Sequence, residues 1–402
     1  MKILFLSTEN PFPVDHGHHL RTYQNLKALS SAHDVHFIGF YNEPMNPADV
    51  ESVKKMCKTV DFYQIKYSGK SPAFLWMTLK SQFSAMPVSI RKYIDSRVES
   101  RIRELISGDG IDLVHFDLLH MSGYLTTTGD IPSVLINHNV EWMRIQRLTE
   151  IAKNPLLKMM LKRETERLRT YENATCERVD CCIAVSDVDQ QMLERDAPRG
   201  NYEMIPNGVD AAFFKPNKHV PDVKRMVWAG GMDGLYNRDA VDFFLADIWP
   251  LIAKEIADAT AAFIGKEPSE LLRQVAAKDS RITAVGYVDD VRPHVDDALF
   301  FIAPLRAGSG TKLKVLNAMA QGRAVLTTSI GAEGIAATPD SEILVADTPQ
   351  SFAQKAIWLL QHPEKALEIG NRARTVIERE YDWDSLEAKT LAIYERVAKR
   401  KE

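Results

Sequence analysis

Three cations and two glycines fall within the short segment Arg306-Ala307-Gly308-Ser309-Gly310-Thr311-Lys312-Leu313-Lys314. The apolar run Leu299–Leu305 before it reads as a strand. Lys312–Gln321 after it reads as a helix, followed by Gly322 and a further strand. Strand, glycine-rich turn and helix together aim free backbone N–H groups at an anion. Arg306, Lys312 and Lys314 crowd the start of that helix, where the macrodipole opposes positive charge. A bound anion such as a diphosphate explains the arrangement; a solvated basic turn is the alternative.

His138 ends the strand Ser133–Asn137. Ligands of α/β sheets bind at carboxyl ends of strands, so His138 is a candidate functional group, with a structural strand cap as the alternative. His16, His18 and His19 follow the first strand. No matching ligand set lies at metal-binding spacing near them, so an exposed loop is expected, with acceptor-facing roles open. Asp187-Val188-Asp189 has the look of a metal-binding DxD but follows Ser186 and precedes a helical run, which suits an N-cap and first turn. Asp289-Asp290 and Asp296-Asp297 read likewise as turn and cap residues. Lys153–Arg169 is basic and amphipathic, with Leu156, Leu157, Met159, Met160 and Leu161 on its apolar part. It suits either an anionic membrane surface or a core with a solvated basic face.

Strands alternating with amphipathic helices must hold these groups. Lys2–Ser7, Val35–Phe40, Val60–Ile65, Leu113–Phe116, Ser133–Asn137, Cys181–Val185 and Tyr202–Ile205 form a first series. Met226–Ala229, Thr260–Ile264, Ile282–Val285, Leu299–Ile302, Ala324–Thr327 and Ile343–Val345 form a second. Continuous apolar strands between helices predict parallel sheets covered on both faces. Ile205–Val223 holds three prolines and marks a linker. The expected domains are 1–208, 209–384 and a C-terminal helix, 385–402, that crosses back to the first. The 402 residues suit two domains. A net charge of −4 lacks the basic excess of a nucleic-acid binder. Cys57, Cys176, Cys181 and Cys182 read as reduced thiols. No signal peptide and no membrane-spanning run is evident, so a cytoplasmic protein is expected, peripheral on the inner membrane face if Lys153–Arg169 touches lipid.

LRAGSGTKLKVLNAMAQGRAVLTTSIGAEGI, starting at Leu305, resembles the donor segment of GT-B glycosyltransferases of family 4, group 1, in particular those of bacterial surface-polysaccharide assembly. STENPFPVDHGHHLRTYQNLKALS resembles their first glycine loop and helix. HNVE at His138–Glu141 resembles their histidine motif, PNGVD at Pro206–Asp210 their pre-linker motif, and WAGGMDGLYNRDAVDFF from Trp228 the opening of their second domain. The resemblance implies two Rossmann-like domains with parallel sheets facing across a cleft. It implies a retaining, metal-independent transfer from a nucleotide-sugar donor to a glycan or lipid-linked acceptor, with no cofactor and no nucleic-acid partner.

By the same resemblance, Gly17 and His18 lie near the donor phosphates, across the cleft from Gly308, Ser309, Gly310 and Thr311. His138 reaches the transferred sugar, Lys312 neutralises the leaving diphosphate, and Glu333 approaches the sugar or ribose. The chain departs from the pattern at several points. His18 replaces a second glycine, and Ser309 and Asn317 stand where relatives carry a pair of glutamates. An amide at Asn317 accepts one hydrogen bond and donates another, where a carboxylate accepts both ribose hydroxyls. Gly231 occupies the usual arginine position and Asn237-Arg238-Asp239 the lysine region, with Arg238 the candidate substitute. Two rivals remain: a nucleotide-sugar epimerase or hydrolase, for which Glu141 is the carboxylate near His138, and a non-catalytic nucleotide-sugar-binding subunit. A dehydrogenase fits poorly, because PFPVDHG follows the first strand in place of G-x-G-x-x-G.

Overall fold

The computed structural model describes residues 1–14, 17–67, 72–81, 84–151, 154–217, 224–308 and 310–399. His16, Lys153, Ser309 and part of the expected linker lie outside them. The chain folds as two compact units, Met1–Pro206 with Glu387–Glu402, and Asn207–Leu386.

In the first unit, β1 (Lys2–Leu6), β2 (Asp34–Tyr41), β3 (Thr59–Gln64), β4 (Leu113–Asp117), β5 (Ser133–Ile136), β6 (Cys181–Ala184) and β7 (Tyr202–Met204) form one sheet. Its order is β3-β2-β1-β4-β5-β6-β7, and every pairing is parallel. Ile3, Leu4, Phe5 and Leu6 are all fully buried. Both faces of β1 are covered, which is why its apolar residues run on without alternating. Chain order reverses between β1 and β4, creating the crevice at strand carboxyl ends where such sheets take ligands. The last helix, Trp383–Lys399, packs largely on this unit; Tyr394 is fully buried, with its hydroxyl 2.5 Å from His115 Nδ1 on β4.

The second unit repeats the plan. β8 (Arg225–Ala229), β9 (Thr260–Ile264), β10 (Ile282–Gly286), β11 (Phe300–Ala303), β12 (Ala324–Thr327) and β13 (Leu344–Val345) pair in the order β10-β9-β8-β11-β12-β13. Trp228, Phe244, Phe263, Phe300 and Phe301 fill its core. The corresponding reversal lies between β8 and β11. The strand expected at Leu299–Ile302 starts one residue later, because Phe300 through Ala303 pair in register with Ala324 through Thr327. The helix expected over Lys312–Gln321 contracts to Leu313–Ala320, with Lys312 as its N-cap. Gly322 follows it with φ 68°, a left-handed conformation that ends helices and that glycine adopts without penalty. Among the described residues, no helix is long and apolar enough to cross a membrane.

Candidate functional site

The crevice of the first unit is built around Asp117, the last residue of β4, which is fully buried. Its carboxylate accepts from Thr22 Oγ1 at 2.6 Å, Ser7 Oγ at 3.2 Å and His138 Nε2 at 3.1 Å. His115 Nε2 lies 3.6 Å away. Burial by itself would raise the Asp117 carboxyl, but the charges and hydrogen bonds of His138 and His115 outweigh it and hold it well below the usual range. Ser7 follows β1, His138 follows β5, and Thr22 lies on the Gly17–Ala32 helix, so the sheet order itself brings these groups together.

His138 Nε2 faces a carboxylate, so it carries hydrogen and donates. Its Nδ1 shares a hydrogen bond with His18 Nδ1 at 3.0 Å, and the other nitrogen of His18 faces Glu9 Oε1 at 3.1 Å. The surroundings favour the bridging proton on His18. Burial lowers the His138 imidazole despite Asp117. For His18, burial is outweighed by the Glu9 hydrogen bond and the charges of Asp117 and Glu9, and the ring is raised. His18 and His19 sit in the first turn of a helix, half buried, and not in an exposed loop. His19 donates from Nδ1 to Pro13 O at 2.7 Å and faces Glu9 at 3.4 Å. Gly17 opens the same helix.

The crevice of the second unit has the opposite balance. Gly308 (φ 130°) and Gly310 (φ 67°) bend the loop after β11. Lys312 Nζ donates to Gly310 O at 2.5 Å and lies 3.9 Å from Glu333 Oε2. Thr311 Oγ1 donates to Gly334 O at 3.5 Å. Arg306 does not crowd the helix start: its guanidinium forms an ion pair with Asp239 at 2.6 Å and stacks on Phe243. Arg238 donates from Nε to Met232 O at 3.0 Å, with Glu267 4.0 Å away. Asn317 is half buried on the Leu313–Ala320 helix. Lys314 turns away from the loop toward β8, where its ammonium donates to Asn237 Oδ1.

The sequence matches the model of Glycosyltransferase Family 4 over residues 17–213 and that of Glycosyl transferases group 1 over residues 223–362. The chain belongs to the family 4, group 1 glycosyltransferases. A Klebsiella pneumoniae protein described as an uncharacterized 44.6 kDa protein in the cps region is 25% identical to this glycosyltransferase over 395 residues, 95% of this chain and 96% of that one. The fold matches sucrose-phosphate synthase from Thermosynechococcus elongatus with a TM-score of 0.74 at 17% identity, covering 99% of both chains. It also matches Anabaena Alr3699/HepE in complex with UDP-glucose, with a TM-score of 0.64 at 14% identity, over 98% of this chain and 100% of that one. These structural matches identify the GT-B fold.

Two residues of the glycosyltransferase's first crevice escape a reading of the sequence. Asp117 lies one residue beyond the expected end of its strand, yet it is the hub of the network. Glu141, the carboxylate nearest His138 in sequence, is instead bound by Arg144 at 3.1 Å. Glu172 is fully buried and accepts from the backbone N–H groups of Glu141 and Trp142, each at 3.1 Å, fixing the turn that follows His138. A carboxylate at a strand end near the switch point was the available signal for Asp117; Glu172 had none, because it looks like the solvated face of a charged helix. In the DxD segment, Ser186 caps the Asp187–Asp196 helix by accepting from Asp189 N. Among the described residues, no group of three or more His, Cys, Asp or Glu side chains is arranged to hold a metal ion.

Proposed function

We propose that this glycosyltransferase moves a sugar from a nucleoside diphosphate donor to a glycan or lipid-linked acceptor, with retention of configuration and without a metal, in cell-surface polysaccharide synthesis. The observation that carries the reading is the glycine-bent loop after β11, with Lys312 at its end. The Anabaena protein's complex with UDP-glucose supports the donor class, and the Klebsiella relative's place in a cps region supports the pathway.

Breaking the bond between the anomeric carbon and the donor phosphate leaves negative charge on the diphosphate. Lys312 and the loop amides stabilise that charge as it develops. A phosphate oxygen of the leaving group takes the proton of the attacking acceptor hydroxyl, so no protein carboxylate is needed as base. His138 positions the transferred sugar: its Nδ1, which meets His18 in the free protein, accepts from a sugar hydroxyl instead. Gly17, His18, Thr311, Asn317, Glu333 and Arg238 complete the donor-binding set.

The enzyme works at the cytoplasmic side of the membrane. Leu156, Leu157 and Met159 are 62%, 49% and 64% exposed beside Lys158, Lys162 and Arg163, a composition that suits contact with anionic lipid. The test is release of nucleoside diphosphate from UDP-, GDP- and dTDP-sugars by the purified chain, with and without a lipid extract, in the presence of EDTA. Release that requires the extract and survives EDTA is the expected result. Release without any acceptor would favour a hydrolase or epimerase, and no release from any donor would refute the reading.

A further inference from the structure

We propose that Lys314 is a second anion-binding group of the donor site, its ammonium meeting the diphosphate beside the Gly230–Gly231 turn. The inference rests on the donor reading above and adds a residue and a charge to it.

Lys314 lies in the first turn of the Leu313–Ala320 helix, but its side chain reaches the carboxyl end of β8. There Nζ donates to Asn237 Oδ1 and sits 4.2 Å from the centre of the Trp228 ring. A Cβ on Gly230 would stand 2.9 Å from Nζ, so the absence of a side chain at Gly230 is what admits the ammonium. The turn is held independently of the lysine. Gly230 N donates to Ile264 O at 2.8 Å, and Asn237 Nδ2 donates to Gly231 O at 2.6 Å.

An ammonium has three donors, and the neighbours named use one of them plus a ring face. Among the described residues no carboxylate pairs with it. Asp239 is held by Arg306 at 2.6 Å, Glu267 faces Arg238 at 4.0 Å, and Glu333 faces Lys312 at 3.9 Å. Asp233 lies against Gly231, and Lys266 lies over the Tyr287 ring at 5.1 Å. Burial, then the charge of Lys312, push the Lys314 amine down to about 7. A desolvated cation beside a second cation is unfavourable unless an anion joins them. The place is the switch point between β8 and β11, where the sheet takes ligands. A diphosphate supplies a negative charge that joins the two lysines, and its binding draws a proton onto Lys314.

Calorimetric titration of the full chain with UDP, GDP, dTDP and inorganic pyrophosphate tests this. Lys314→Met should weaken the bound nucleotide and pyrophosphate about 10- to 100-fold, with the melting temperature unchanged or raised because a buried cation is removed. The unmodified protein at pH 8 should take up protons on binding, read from buffers of different ionisation enthalpy, and Lys314→Met should not. If Lys314→Met folds poorly, proton uptake by the unmodified protein decides. Unchanged affinity in Lys314→Met, or no proton uptake, overturns the inference; Lys312→Met weakening the same nucleotide would then leave the donor reading standing. No binding of any nucleotide to the unmodified protein overturns both.

Discussion

In the first unit the buried carboxylate of Asp117 is surrounded by Thr22, Ser7, His115 and His138, and the ring of His18 is answered by Glu9. In the second unit Lys312 and Lys314 stand close enough for one to depress the other, with Glu333 as the carboxylate in range of Lys312 alone. Both crevices open at the same place in the same strand order. The difference is therefore in the side chains and not in the fold. The first network is complete within its own unit and holds His138 in one orientation. The second brings two lysines together, and in the proposed function they meet the charge of the leaving diphosphate while His138 orients the sugar.

Breaking the first network should have the largest effect. Asp117→Ala strips a buried charge from three donors and should cost about 3–5 kcal/mol of stability, measured by denaturant unfolding; a cost under 1 kcal/mol would show that the network is not structural. The pH dependence has a definite sign. The Asp117 carboxyl is depressed, so its contribution is present above about pH 3.9, the unfolded value, and fades as pH falls below it. The stability gap between the unmodified protein and Asp117→Ala should narrow there, and a gap constant down to pH 2 would contradict the assignment.

His138→Ala should lower kcat by about 100-fold or more, while leaving nucleoside diphosphate affinity within a few fold, since the histidine serves the sugar. Equal losses in both would place it elsewhere. Lys312→Ala should do the converse in binding, weakening the nucleotide about 10- to 100-fold with little change in melting temperature. Arg306→Ala should have the smallest effect. Its exposed pair with Asp239 is worth about 0–1 kcal/mol, and nucleotide affinity should change less than about threefold, given that the guanidinium is already engaged.

Much of this was legible in the sequence where the signal is local. Apolar runs such as Ala324–Thr327 and the glycine loop before Leu313 declare themselves within a dozen residues. Asp117 could not, because Ser7, Thr22 and His138 become its partners only once β1, β4 and β5 lie side by side. The path of Lys314 was hidden for a similar reason. A lysine two residues from Lys312 looks like part of the same basic turn, and only the packed β8 turn, with Gly230 open beside it, shows where its ammonium goes. The expectation that Arg306 acts with Lys312 and Lys314 fails on a tertiary contact: Asp239 takes its guanidinium, while Lys314 reaches Asn237.

The most direct test of the division between the units is hydrogen–deuterium exchange of the full chain with and without the nucleoside diphosphate that binds best. The account predicts that protection concentrates in the second unit, over the 306–317 segment and the 228–238 turn, while the amides around Asp117 keep their exchange rates. Protection confined to the first unit, or none at saturating nucleotide, would contradict it.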